Sequence, residues 1–263
     1  MTDDVILIAA LKFPPIKELV EWPGVAFKGS PLEVNKTVIY MWVAVALVLI
    51  IFALAAKGAK ASLVPSGVQN VVEGAVEFIR ESIVLQTIGP DGMGWMPFLT
   101  TLFFFIFFGN LFDVLPFIQF PVNARMALPM FMALLVWAIF NVVGIKAQGV
   151  RGYFRSMLKP PGVPGFLLPL VAGIEFVSTV LVRPFSLAVR LFANMLAGYL
   201  LLVTFSVLCA ALFTKSIMAV ILPLPFAMLV ALTGFEILVA LLQAFIFTIL
   251  TAVYIGGAMH PEH

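Results

Sequence analysis

Histidine, cysteine and charge are all scarce in this chain, and each shortage removes a class of function. The lone cysteine, Cys209, has no intrachain partner, so no disulfide framework holds the fold; within an apolar run it is expected to be a small core residue. Both histidines, His260 and His263, fall in a short tail, which argues against a metal centre there. Only 11% of residues are charged, and 15 basic against 13 acidic side chains leave a net charge of +2. So small an excess, spread over connecting segments, does not fit a nucleic-acid surface. No glycine-rich phosphate loop, paired metal ligands or nucleophile with its base is present, so no covalent catalysis and no cofactor are expected of the chain by itself. Asp3 and Asp4 stand where a secretory leader is basic, and the apolar run Val5 to Leu11 is short for one, so no cleaved signal is expected.

What the chain does have is apolar length. Hydrophobic residues make up 63% of it and the mean hydropathy is +1.15, which implies an integral membrane protein. The runs are continuous over about 20 residues instead of alternating with period two, so they read as helices and not as a barrel. The expected fold is all-α, with about five membrane helices, the last two long and steeply tilted, and one amphipathic surface helix. A mixed, proline-bearing arm at 1–35, with Pro14, Pro15, Pro23, Gly24 and Pro31, precedes a single helical membrane domain at 36–263.

Within that domain, 36–56 is a first span leaving through Lys57 and Lys60. Segment 66–88 opens on Ser66 to Gln69, which resembles a capping box, and Val68, Val71, Val72, Ala75, Val76, Ile79 and Ile83 form a stripe opposite Glu73, Glu77, Arg80 and Glu81. This acidic amphipathic helix fits either packing on its own neighbours or docking to a partner. A hairpin follows at 95–115 and 126–145. Its first helix carries Asn110 and Asp113 before Pro116 stops it, and its run from Phe103 to Phe108 is lipid-facing or packing surface. A basic loop with Lys146, Arg151, Arg155 and Lys159 leads to Pro160, Pro161, Gly162 and Pro164. The positive-inside rule puts this loop and the Lys57/Lys60 loop on the cytoplasmic side, with the N-terminus, Asp113 and Arg125 outside. Stretches 165–213 and 217–257 are each about twice the length needed to cross ~30 Å of hydrocarbon. Splitting each into two spans would put Arg183 and Arg190 in an outer turn that has no turn residues, so an inclined hairpin, cytoplasmic at its C-terminus, is expected.

Ser186 to Gly198, SLAVRLFANMLAG, sets Arg190 in the middle of an otherwise apolar helix. A guanidinium near the bilayer centre costs at least ~2.5 kcal/mol and cannot shed its charge, so it requires water, a carboxylate or a polar cavity. Asn194 lies one turn further on, and Ala193, Ala197 and Gly198 keep the surface low enough for another helix to approach. Glu175 and Ser178 precede it; Glu236 and Gln243 stand seven apart on the last helix, hence on one face. Arg183 fits either an interfacial anchor or a transport role, and Glu175 either a dipole partner or a channel acid. Buried acid, amide and arginine together are the parts of an ion path.

SLAVRLFANMLAG, followed by Gln243 to Phe247 (QAFIF) and Leu250 to Tyr254 (LTAVY), resembles the a subunit of the rotary F-type ATP synthase, over roughly Trp95 to Gly257. The resemblance implies a tilted hairpin clasping a ring of c subunits, b-type peripheral stalk subunits and other synthase subunits as partners, and a bacterial inner membrane as the site of work. Matched residue by residue, Arg190 corresponds to the family's essential arginine, Asn194 to the amide after it, Gln243 to the glutamine facing it and Glu236 to a proton-path acid or histidine. Asn110 and Asp113 correspond to the outer half-channel, Glu175 and Ser178 to the inner one. Tyr199 departs from the pattern, standing where many members have Glu or His, so its hydroxyl or a water is implied beside Glu236. The function implied is proton translocation coupled to rotation and ATP synthesis, without catalysis by this subunit alone. A reading from another class is a self-contained ion-coupled secondary transporter, although neither an inverted repeat nor a glycine-rich broken helix supports it.

Overall fold

Asn35 begins the membrane domain by accepting a hydrogen bond from the Val38 amide at 3.1 Å, which satisfies one of the donors a helix start leaves free. Helix α1, Lys36–Ala61, follows from this cap. The computed structural model describes residues 24–27, 33–61, 66–115, 122–158, 164, 166–213 and 217–260. Most of the arm, Pro116, Lys159 to Gly162 and His263 lie outside the described residues. Of the arm, Ala26 and Val34 are joined by one antiparallel bridge.

The other α-helices longer than two turns among the described residues are α2 (Val68–Ile79), α3 (Met96–Val114), α4 (Ala127–Leu158), α5 (Leu168–Val177), α6 (Arg183–Leu212) and α7 (Pro223–Met259). A π-helical turn, Ser178–Val182, makes α5 and α6 one continuous rod. The fold is an all-α membrane protein: five helices, Lys36–Ala59, Pro90–Val114, Ala127–Arg155, Leu168–Leu212 and Ala219–Met259, are long and apolar enough to cross a membrane. At 1.5 Å per residue the 45-residue fourth span is about 68 Å long, so it exceeds ~30 Å of hydrocarbon more than twofold.

Three local features differ from the sequence reading. No Ser66 capping box forms: Gly67, at φ 54°, is the N-cap without a side-chain bond, and Gln69 donates instead to Glu73 at 2.7 Å. Gln69 is buried against α1, where a Cβ at Gly58 would press on its Oε1, while Val68 and Val71 of the expected stripe face outward. The inner stripe is Val72, Ile79 and Ile83, so α2 packs on its own neighbours α1 and α3. The second difference is α4, which does not stop at Ile145. It runs on past Lys146 to a break at Gly149, whose φ of 73° suits a residue without a Cβ, and a second helical segment beyond the break carries Arg151 and Arg155. Beyond that break Tyr153 folds back, its hydroxyl donating to Asn141 Oδ1 at 2.8 Å and its ring covering Gly144. The third is Cys209, which is half-buried on α6 and not a core residue.

The core sits where α7 crosses α3, α4 and α6. Phe103, Phe104 and Phe140 are buried in it, and Phe52 meets Phe104 edge-on at 5.1 Å, so the phenylalanine run is chiefly packing surface. A Cβ on Gly256 would lie 2.8 Å from the Thr87 carbonyl, a contact that brings the end of α7 against the segment before α3. Gln148 donates to the Ala258 carbonyl at 3.2 Å, and His260 meets Asp91 at 3.5 Å, so α7 is tied at its C-terminus from two sides.

Candidate functional site: a buried acid and amide cluster beside an unpaired arginine

Helix α3 ends in GNLFDV, and the helical spacing of Asn110 and Asp113 turns both inward, to 0% and 2% exposure. Facing them, α7 contributes Glu236 at 4% and Gln243 at 2%. The Asp113 and Glu236 carboxyls lie within electrostatic reach of each other, as do Asp113 and the buried Tyr199. Gly198 of α6 admits Glu236: a Cβ there would fall on its carboxyl group. The low surface expected around Arg190 is thus used on one side by Glu236 of α7.

Two amide pairs bracket the acids. Asn194 Nδ2 donates to Gln243 Oε1 at 2.7 Å, joining α6 to α7. Asn123, in the short 3-10 turn Val122–Ala124, donates through Nδ2 to Asn110 Oδ1 at 2.5 Å. Asn123 was missed by the sequence reading; its signal was only an asparagine in a short proline-bearing connection. Both Asp113 oxygens, Glu236 Oε2, Asn110 Nδ2, Asn123 Oδ1 and Gln243 Nε2 are buried with no protein partner. An unsatisfied buried polar atom costs about 1–3 kcal/mol, so six of them in one region define a site built for water or a mobile proton.

Arg190 lies one turn before Asn194, half-buried, and among the described residues no hydrogen bond or ion pair holds it. Ala193, Asn194 and Ala197 beside it are exposed, so this strip of α6 is uncovered. Leu187, in register with Arg190, is buried.

Glu175 and Ser178 are at a separate place, around the π-helical turn. Residues eight apart on an ideal α-helix are offset by about 80°; the wider turn takes up that offset, and Arg183 pairs with Glu175 at 2.9 Å. Thr179 Oγ1 lies 3.5 Å from the same Glu175 oxygen, and the Trp137 indole donates to the Thr179 carbonyl at 3.0 Å. The guanidinium of Arg183 stands 5.5 Å from the Tyr254 ring centroid on α7, a cation–π distance. Arg183 is therefore paired within the protein, with Glu175 and the Tyr254 ring. The structure does not bring Glu175 and Ser178 to the Asp113 and Glu236 cluster.

A polytopic helical membrane protein with carboxyls and amides buried inside its helix bundle and an unpaired arginine on an open face belongs with the ion-handling membrane proteins. Residues 38–256 match the family model described as ATP synthase A chain. The chain is 46% identical over 203 residues to "ATP synthase subunit a" of Parafrankia sp. (strain EAN1pec), covering 76% of this chain and 68% of that one. It is 41% identical over 259 residues to the protein of the same name from Frankia alni, covering 95% and 87%. With that of Methylobacterium sp. (strain 4-46) the identity is 38% over 257 residues, covering 97% and 100%. The chain belongs to the ATP synthase A chain family.

Proposed function

We propose that this chain is the proton-translocating stator subunit of a bacterial F-type ATP synthase, forming two offset half-channels against a ring of c subunits. The observation that carries the proposal is Arg190: a permanent cation in a membrane helix, unpaired among the described residues, on a strip of α6 that is exposed at Ala193, Asn194 and Ala197. Such a charge needs an anion brought to it from outside the chain, and a ring carboxylate supplies one. Helices too long to stand upright in the bilayer fit a tilted hairpin lying along that ring.

In this reading the N-terminus and the Asp113 end of α3 face outward, and the C-terminus faces the cytoplasm of a cell whose inner membrane holds the complex. Protons arrive through water held by Asn110, Asp113 and Glu236, with Tyr199 beside them in place of a further acid. A proton passing to a ring carboxylate neutralises it, and the neutral form can face lipid where an anion would be prohibitively costly. After nearly a full rotation the carboxyl reaches the inner path near Glu175 and Ser178, ionises as Arg190 favours its anion, and releases the proton. Asn194 and Gln243, bonded to each other, fix the two long helices at the level of the arginine. Each charge crossing 100 mV carries ~2.3 kcal/mol, so several crossings are needed per ATP, which suits a ring of many sites. The b-type stalk subunits hold the stator against the resulting torque.

Replacing Arg190 with Ala tests this directly. ATP-driven proton pumping by membrane vesicles bearing the assembled variant is expected to be abolished. Normal pumping would remove the proposal.

A further inference from the structure

The path proposed above uses residues on the long helices and α3, yet a buried polar group comes from a connecting segment. Val122 and Asn123 are both 1% exposed, although the 3-10 turn that carries them joins two spans. Connections normally lie on the surface because their polar groups need water. This one turns inward far enough to reach Asn110, a full turn before Asp113, and contacts α1, α3, α4 and α6.

We infer that Asn123 is a positioning residue of the outer proton path, acting through Asn110; the inference rests on the half-channel reading. The bond runs from Asn123 Nδ2 to Asn110 Oδ1 at 2.5 Å, so the orientation of the Asn110 amide is set by it. With its oxygen engaged, Asn110 leaves Nδ2 as a buried donor without a partner, and Asn123 leaves Oδ1 as a buried acceptor. One amide thus presents a donor and the other an acceptor, and Asn110 shares a face of α3 with Asp113, whose two oxygens are also unpartnered. That arrangement holds a water in a fixed orientation between non-titrating amides and the first acid. An ordered water with two to four polar partners is what a buried site of this kind admits. Neither amide changes charge, so the pair orients the proton's carrier without storing the proton. Gly109 leaves room for the arrangement, because a Cβ there would come within 3.3 Å of Asn123 Nδ2.

The test uses the complete synthase in inverted membrane vesicles, with F1 stripped to read passive proton conduction. Asn123→Leu, of similar size and without either polar atom, is expected to lower conduction at least fivefold while stalk and ring subunits remain at normal levels. Asn123→Asp keeps the acceptor and can replace the lost donor to Asn110 only when protonated, so conduction is expected to recover as the outer side is acidified, a response that packing alone does not produce. Asn110→Leu combined with Asn123→Leu should be no worse than Asn110→Leu alone, since one residue acts through the other. Wild-type conduction in Asn123→Leu overturns the inference, and so do losses in the double variant that multiply. If Asn123→Leu fails to assemble, the Asn123→Asp pH profile decides, and a profile parallel to wild type overturns the inference. Arg190→Ala, assayed for ATP-driven pumping before F1 is stripped, keeps the two failures apart: retained pumping there counts against the half-channel reading itself.

Discussion

Arg190 was legible from the sequence because a guanidinium in lipid costs enough to demand a reason wherever it is found. Glu236, Gln243, Asn110 and Asp113 were legible for the same cause, and the structure buries all four together. Asn123 was not, since an asparagine in a connection has many ordinary uses and only the fold shows it turned inward. Nor was the role of Gly198 as the space for Glu236, because the spacing of small residues marks a close approach without naming what approaches. This space gives a prediction at the level of one methyl group. Gly198→Ala places a Cβ on the Glu236 carboxyl, the far end of a flexible side chain, so the helices stay packed and the carboxyl moves. The variant should assemble normally and melt within about 1 kcal/mol of wild type, while passive proton conduction falls several-fold. Conduction at the wild-type rate in Gly198→Ala would argue that the position of Glu236 does not matter.

Element by element, the spans were readable from hydropathy and their ends were not. α4 runs past Lys146 because charge does not stop a helix; a residue free to take positive φ does, and Gly149, four residues beyond the apolar end at Ile145, breaks it before Arg151 and Arg155. The π-helical turn Ser178–Val182 had no signal in the sequence beyond the eight-residue gap between Glu175 and Arg183. It is a register device: one residue absorbed in a wide turn brings acid and guanidinium onto one line, and Trp137 takes the Thr179 carbonyl within that turn. Removing Val180 and Leu181 together takes out the absorbed residue and one more, and should swing α5 by about 100° relative to α6. Arg190, seven residues beyond Arg183 on α6, keeps its place, while Glu175 parts from Arg183. In the proposed function the inner path is then broken and the outer one intact, so passive conduction is lost although a water-soluble thiol reagent still reaches a cysteine put at Asp113 from the outer side. Conduction surviving the deletion would show that the Glu175 region is not the inner path.

On the scale of the whole molecule, what separates the stator reading from a transporter that works alone is where the polar path can end. The buried acids of α3 and α7 lie beside α6, and the strip of α6 that bears Arg190 opens outward at Ala193, Asn194 and Ala197. Nearby α7 exposes Leu238, Leu241 and Leu242, an apolar wall suited to lipid or to the helices of a neighbour. A transporter closes its site between its own repeats and alternates access around it. Among the described residues the guanidinium has no anion to alternate with, so the protein alone should be a poor conductor. Purified and placed in liposomes under an imposed potential, the chain should leave a pH-sensitive dye inside unchanged at the rate of empty liposomes. The same protein supplied with a ring of c subunits and the stalk should discharge the potential through protons, and Arg190→Ala should alter that flux. Potential-driven proton uptake by the isolated chain, abolished by Glu236→Gln, would instead favour a self-contained transporter.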